Sequence, residues 1–116
     1  KRTTIFKKQN IKFLVFGDYK WDNLFKRLTK KGKYIHTTTL ENELLSIFSN
    51  NLGSYLNRSE LSKSLKINSS SRNIDVGITR LRKKIEDNPK NPQYILNARG
   101  KGWQLRGRAL NNYNEN

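Results

Sequence analysis

The sequence contains no cysteine and one histidine, so it offers neither a disulfide bond nor a thiolate metal site. It has no run of about 18 apolar residues, the length that a membrane-spanning helix needs. Its most apolar stretch, residues 11–16 (IKFLVF), is too short for the core of a signal peptide and is interrupted by Lys12. These absences predict a soluble protein with no cofactor, no metal and no membrane segment.

Acidic residues are also scarce. Nine Asp and Glu stand against 24 Lys and Arg, which gives a net charge of +15 and a pI near 10.3. A folded domain with this excess of positive charge indicates a polyanionic partner, with nucleic acid the first candidate and an anionic membrane surface the second. The length of 116 residues, 34% of them hydrophobic, predicts one domain with a modest core.

The sequence shows no arrangement typical of an active site. His36 falls in a predicted strand and has no second His or Cys with which to share a metal ion. Glu41 and Glu43 are two apart on a predicted helix and point to different faces, while Glu86 and Asp87 end a helix beside lysines and are expected to be solvated. Without a paired nucleophile and base or a phosphate-binding glycine loop, we do not expect an enzyme.

Short apolar runs separated by turn residues predict an antiparallel sheet in the first third of the chain. The predicted strands are residues 11–16, 19–22, 24–29 and 34–37. Thr38 and Glu41 then form a capping box, which predicts the start of a helix that ends before Gly53 in a left-handed conformation. The inner face of this helix is predicted to carry Leu44, Leu45, Phe48 and Leu52.

A second, shorter helix is predicted from a capping box formed by Asn57 and Glu60. Leu56 and Leu61 are spaced as a hydrophobic staple, and Leu61 and Leu65 are expected to face inward. Residues 68–71 supply turn and cap residues before a third helix.

The third helix, residues 72–87, has one apolar stripe and one cationic face. At about 100° per residue, three side chains fall within roughly 40° of Ile74 and predict with it a core-facing stripe: Ile78, Leu81 and Ile85. The opposite side collects Thr79, Arg72, Lys83, Val76 and Arg80, with Asn73 at its margin. An apolar Val76 amid cations is either a scattered surface residue or a partner contact.

Beyond this helix, residues 94–97 and 103–106 are expected to pair as a hairpin across the tip Arg99-Gly100-Lys101-Gly102. Residues 108–116, rich in Asn, are expected to form a flexible tail. The chain begins with Lys1 and not with Met, which suggests a piece of a longer protein.

One long segment, from Arg72 to Leu105, resembles the OmpR/PhoB family, the DNA-binding output domains of bacterial two-component response regulators. The family pattern is R-x-V-D-V-x-I-x-x-L-R-x-K-(I/L)-E followed by R-G-x-G-Y; this chain has RNIDVGITRLRKKIE followed by RGKGW. The likeness extends over residues 11–106 and includes TTLENELL from Thr38 and NRSEL from Asn57.

The resemblance implies an α+β fold over residues 1–107: a winged helix-turn-helix with an N-terminal antiparallel sheet, three helices and a C-terminal hairpin wing. It implies sequence-specific binding of double-stranded DNA and regulation of transcription, in a cytoplasmic phosphorelay. In relatives the third helix lies in the major groove, where the positions facing bases or nearby phosphates match Arg72, Asn73, Val76 and Arg80. Those lying near the DNA backbone match Thr79, Arg82 and Lys83.

The wing tip is also predicted to contact DNA. Glycines on either side of Lys101 permit a tight turn, so that Arg99 and Lys101 are expected to reach the minor groove, where narrow A·T-rich stretches concentrate negative potential. Val76 is expected to pack against the C5-methyl group of thymine.

The family also implies partners. We expect two copies on tandem direct repeats of DNA, a monomer off DNA, and a receiver domain before Lys1 in the full-length protein. RNA polymerase is a further partner in relatives, but the connection between Arg58 and Arg72 is shorter here, which puts that contact in doubt.

Gly77 is unusual in a recognition helix, where it costs about 1 kcal/mol relative to Ala and omits a side chain that relatives direct toward DNA. Asn97 and Ala98 stand where Thr and Val are usual.

Two alternatives remain open at this point. The same fold occurs in regulators without phosphorylation that are tethered to a membrane protein, such as relatives of ToxR and CadC. A basic RNA-binding module is permitted by composition, but the cationic face has few aromatic residues on which unpaired bases could stack.

Overall fold

The computed structural model describes residues 11–65 and 71–110, without the side chains at positions 71 and 72. In this part of the chain the strands are β1 (Phe13–Phe16), β2 (Tyr19–Asp22), β3 (Arg27–Lys30), β4 (Lys33–Ile35), β5 (Ile95–Ala98), β6 (Gly102–Leu105) and β7 (Arg108–Leu110). The helices are α1 (Thr39–Asn50), α2 (Arg58–Ser64) and α3 (Ser71–Ile85). The predicted cap residues 68–70 and the Arg72 side chain lie outside the described residues. The α+β fold class and the order of sheet, three helices and hairpin are confirmed.

The N-terminal sheet is antiparallel, with strand order β4-β3-β2-β1-β7. Its inner face is built from one row of paired residues: Leu14 lies opposite Trp21, Trp21 opposite Leu28, and Leu28 opposite Ile35. The side chains of Leu14, Trp21 and Leu28 are fully buried. This row packs into the same core as the helices, so the sheet supports the helical layer from one side.

The third predicted strand begins later than expected, at Arg27 and not at residue 24. The carboxylate of Asp22 accepts hydrogen bonds from the backbone N–H groups of Leu24 and Phe25, each at 3.0 Å, and Lys26 has a positive φ of 57°. A side chain that satisfies turn amides in this way competes with strand pairing, so these residues form a turn.

The predicted flexible tail is wrong for its first three residues. Arg108–Leu110 forms strand β7, which pairs with β1 so that Val15 lies opposite Arg108 and Phe13 opposite Leu110. The domain therefore extends past the predicted boundary at residue 107, and residues 111–116 lie outside the described residues.

Both predicted capping boxes are present. The Thr38 hydroxyl accepts from the N–H of Glu41 at 3.2 Å while the Glu41 carboxylate accepts from the N–H of Thr38 at 2.9 Å. Asn57 and Glu60 make the equivalent pair of bonds at the start of α2. Gly53 has φ +83°, the left-handed conformation predicted after α1.

The apolar stripe of α3 is confirmed as the centre of the helical core. Ile74, Leu81 and Ile85 are fully buried and Ile78 is 2% exposed. They pack with inward-facing residues of the other two helices: Leu44, Leu45, Phe48, Leu61 and Leu65. With its apolar stripe buried in this way, α3 turns its opposite face outward.

Candidate nucleic-acid interface

The outward face of α3 carries the side chains that the helical periodicity predicted. Five of them are exposed: Asn73, Val76, Thr79, Arg80 and Lys83. Among the described residues four large hydrophobic side chains are exposed, and Val76, at 38%, is the one that lies on a helix. The face is therefore cationic and polar with one apolar group in it, a combination suited to reading base edges.

Gly77 does not belong to this face, contrary to the sequence interpretation. It is buried, and a Cβ at this position would lie 2.9 Å from Leu40 Cδ2 and 3.1 Å from Leu44 Cδ1 on α1. The glycine lets α3 approach α1 closely. The helical periodicity already placed Gly77 beside the buried residues, because it lies about 60° from Ile74, at the margin of the apolar stripe.

The wing consists of β5 and β6, with Asn97 opposite Trp103 and Ala98 opposite Gly102. Its turn is closed by a hydrogen bond from the N–H of Lys101 to the carbonyl of Ala98 at 3.0 Å, and Gly100 has φ +77°. Arg99 and Lys101 are both exposed at the tip, as predicted. The tip therefore presents two cations on a tight turn.

Strand β6 of the wing is attached to Leu56, just before α2. Leu56 and Trp103 exchange two backbone hydrogen bonds of 2.7 and 2.9 Å. A Cβ at Gly102 would lie 2.0 Å from the carbonyl oxygen of Leu56, so only glycine allows this approach. Asn97, one of the departures from the family pattern, donates from Nδ2 to the carbonyl of Gly102 at 3.2 Å and so closes the hairpin itself.

An ion pair that sequence reasoning missed joins α2, α3 and the wing. Arg58 Nε lies 3.0 and 3.2 Å from the two carboxylate oxygens of Asp75, and the Arg58 guanidinium lies over the Trp103 ring at 5.2 Å from its centroid. Asp75 is the acidic residue within α3, and its pairing with Arg58 offsets its charge beside the cationic face.

Arg82, which the resemblance places near the DNA backbone, makes hydrogen bonds within the domain. Its Nη2 and Nε donate to the carbonyl of Ile95 at 2.8 and 3.3 Å, so the guanidinium is bound to the first residue of the wing. Partial burial lowers the pKa of Arg82, and the Glu86 carboxylate opposes that shift. These bonds give Arg82 a structural role within the domain, and its contact with the DNA backbone stays a prediction.

Glu86 was expected to be solvated, and this expectation is wrong. Its side chain is buried, with the residue 6% exposed. One carboxylate oxygen accepts from the N–H of Gln93 at 2.7 Å, and the other accepts from those of Tyr94 and Ile95 at 2.9 and 2.8 Å. No periodic pattern predicts this contact, because two of its partners, Gln93 and Tyr94, lie in a segment without helix or strand.

An exposed helix face, a supporting helix before it and a hairpin with a basic tip define a winged helix-turn-helix domain. The comparisons with known proteins agree with this class. The family model described as "Transcriptional regulatory protein, C terminal" matches residues 32–105. The protein PetR of Rhodobacter capsulatus is 33% identical over 102 residues, which cover 81% of this chain and 43% of PetR.

Solved structures give the same result. The response regulator DrrB of Thermotoga maritima, described as an OmpR/PhoB homolog, aligns with a TM-score of 0.73 and 35% identity over 83% of this chain and 45% of DrrB. The DNA-binding domain of RstA from Klebsiella pneumoniae, solved in complex with the RstA box, aligns with a TM-score of 0.69 and 29% identity over 81% of this chain and 96% of that one.

The chain belongs to the family of C-terminal domains of transcriptional regulatory proteins, of the OmpR/PhoB type. It is a DNA-binding output domain that regulates transcription, as the resemblance implied. The chain spans less than half the length of PetR and of DrrB. No helix in the described residues is both long and apolar enough to cross a membrane.

Proposed function

We propose that the chain binds double-stranded DNA sequence-specifically, with α3 in the major groove and the wing tip in an adjacent minor groove. The observation that carries the proposal is the outward face of α3, where Val76 is exposed among cationic and polar side chains. Lysine and arginine side chains are sufficient for attraction to phosphates. Contact with base edges accounts for an exposed apolar side chain among them.

Each exposed residue then has a role that follows from its chemistry. Arg80 and Asn73 can hydrogen-bond to base edges or nearby phosphates, and Val76 packs on the methyl group of a thymine. Thr79 and Lys83 contact the DNA backbone, and Arg99 and Lys101 enter the minor groove from the wing tip. Arg72 keeps its predicted place among the base contacts, although its side chain lies outside the described residues.

In the full-length protein we propose a receiver domain preceding this chain, phosphorylated in a two-component phosphorelay in the cytoplasm. The domain has no enzymatic role in this scheme, because binding alone carries the output. The segment that would meet RNA polymerase lies between α2 and α3 and includes residues 66–70, which are outside the described residues. The 35% identity to the response regulator DrrB supports the response-regulator assignment over a membrane-tethered regulator, and the family match supports it over an RNA-binding module.

Selection from a random duplex library tests the proposal directly. The wild-type chain should enrich a defined sequence, whereas enrichment of nothing beyond general duplex binding would contradict sequence-specific recognition. Val76→Ser removes the methyl contact and keeps the cations, so it should lower the preference for thymine at one base pair by about 1 kcal/mol and leave other positions unchanged. Leu24→Ser is the matched control, because Leu24 is also exposed but lies in the turn between β2 and β3.

If Val76→Ser and Leu24→Ser gave the same base-preference profile as the wild type, the proposed role of Val76 would be wrong. Arg80→Ala has two possible outcomes. If Arg80 contacts a phosphate, the variant should bind every sequence more weakly; if Arg80 contacts a base, the variant should lose base preference at one further position. The two outcomes for Arg80 assign its side chain to the backbone or to a base edge.

A further inference from the structure

The wing and α3 are joined by a segment with no helix or strand, residues 86–94. Two elements that enter neighbouring grooves of a rigid duplex must keep a fixed separation, because a displacement of either one removes its contacts. An irregular connection of this length does not maintain such a separation by its own backbone hydrogen bonds. Two backbone hydrogen bonds between Leu56 and Trp103 hold the wing near α2, and its separation from the end of α3 depends further on side chains that bridge the two elements.

Glu86 is placed to do this. It follows α3 directly, and its carboxylate accepts hydrogen bonds from three successive N–H groups, those of Gln93, Tyr94 and Ile95. Hydrogen bonds to an ionised acceptor are roughly twice as strong as those between neutral groups. The end of the recognition helix thus binds the backbone at the point where the wing begins.

A second bond runs between the same two elements. One turn before Glu86, the guanidinium of Arg82 donates to the carbonyl of Ile95. Ile95 is therefore bound to α3 through both its N–H and its C=O, and its side chain is fully buried in the core. The first residue of the wing can hardly move relative to the C-terminal half of α3 unless these bonds break.

We infer that Glu86 is a positioning residue, which sets the place of the wing relative to the recognition helix and so allows Arg99 and Val76 to contact one DNA site together. This inference rests on the proposed function. Glu86 contacts no DNA in this scheme and acts only through the backbone that it holds.

Glu86→Gln tests the inference with little change in shape. The amide offers one acceptor oxygen where the carboxylate offers two, so at least one of the three buried N–H groups loses its acceptor. Asp87→Asn is the matched control: it makes the same change in net charge one residue away, at an exposed side chain. Binding to the selected duplex should weaken at least about fivefold in Glu86→Gln and stay within about twofold of wild type in Asp87→Asn.

A merely destabilised fold would weaken every contact, so a double-mutant cycle supplies the distinguishing measurement. Arg99→Ala should weaken wild-type binding by about fivefold or more but should change the binding of Glu86→Gln by less than about twofold, because the wing is already misplaced. Val76→Ser should cost the same factor in both backgrounds. An unchanged effect of Arg99→Ala in folded Glu86→Gln would overturn the inference.

Hydrogen exchange on the wild-type chain keeps the inference testable if Glu86→Gln does not fold. The amides of Gln93 and Tyr94 lie outside helices and strands, yet they should exchange as slowly as those of α3. Fast exchange at both would show that the carboxylate does not hold them and would overturn the inference. This measurement needs no DNA, so failure of the proposed function, seen as the absence of any selected sequence, remains distinguishable from failure of the positioning role.

Discussion

Replacement of Gly77 by alanine separates two opposed interpretations of this position. In an exposed helix the change would stabilise the protein by about 1 kcal/mol, since glycine is the poorer helix former. In this structure the added methyl would lie 2.9 Å from Leu40 Cδ2, 3.3 Å from Leu40 Cγ and 3.1 Å from Leu44 Cδ1. Leu40 is half-buried and can turn aside, but Leu44 is fully buried.

Insertion of a methyl group into a packed interface costs about 1 to 3 kcal/mol. Offset by the helix propensity of alanine, this leaves a net loss of about 1 kcal/mol for Gly77→Ala, or about 4 to 8 °C in Tm for a domain of this size. Urea and thermal unfolding measure the loss. In the background Leu40→Ala, which removes the nearest clash, the same substitution should become neutral or stabilising.

A stabilisation of about 1 kcal/mol by Gly77→Ala in the wild-type background would refute the close approach of α3 to α1. If Gly77→Ala changed the free energy of unfolding equally in the wild-type and Leu40→Ala backgrounds, the clash would not involve the Leu40 side chain. Substitutions at contacting residues should have non-additive effects on that free energy.

Three further predictions concern DNA binding and pH. Binding should weaken with salt, with a slope of about 0.9 log units of affinity per log unit of salt for each phosphate neutralised; unchanged affinity from low to physiological salt would contradict the proposed phosphate contacts. Two copies should occupy direct repeats about 10 to 11 base pairs apart; paired binding that survives insertion of five base pairs, or a preference for inverted repeats, would contradict this arrangement. Burial and then the carboxylates of Asp87, Glu86 and Asp18 raise the pKa of Tyr94. The folded state therefore favours the neutral phenol, so this contribution to stability is complete below the unfolded pKa of about 10 and is lost as pH rises above it. Unfolding free energies measured from pH 9 upward should fall less steeply in Tyr94→Phe; an identical slope would show that Tyr94 is not responsible.

Local patterns predicted local structure correctly. The two capping boxes and the buried stripe of α3 depend on residues three to four apart, and the contacts of such neighbours are set by helix geometry alone. The exposure of Val76 follows from the same periodicity. The DNA-facing role of each exposed side chain is still a prediction, because no described contact of the chain tests it.

Two failures, strand β7 and the burial of Glu86, share a physical cause, which is distance along the sequence. Strand β7 has three residues, too few for a period to be recognised, and it forms because β1 offers an edge to it. Arg82 and Glu86 look like ordinary helix-end charges, and their partners appear only when the wing folds back onto α3. Spacing alone does not place such partners, since the segment between them has no regular structure.

The pairing of β7 with β1 determines how long one edge of β1 is exposed while the domain is synthesised. The ribosome delivers β1 among the first described residues and β7 among the last, so the edge of β1 that β7 covers stays open while the residues between them are added. At about 5 to 20 residues per second this interval lasts several seconds. During that time an unpaired strand edge can pair with another nascent chain. Strand β7 therefore covers the four-residue edge of β1 and leaves a shorter edge of three residues in its place, which offers less backbone for pairing between chains.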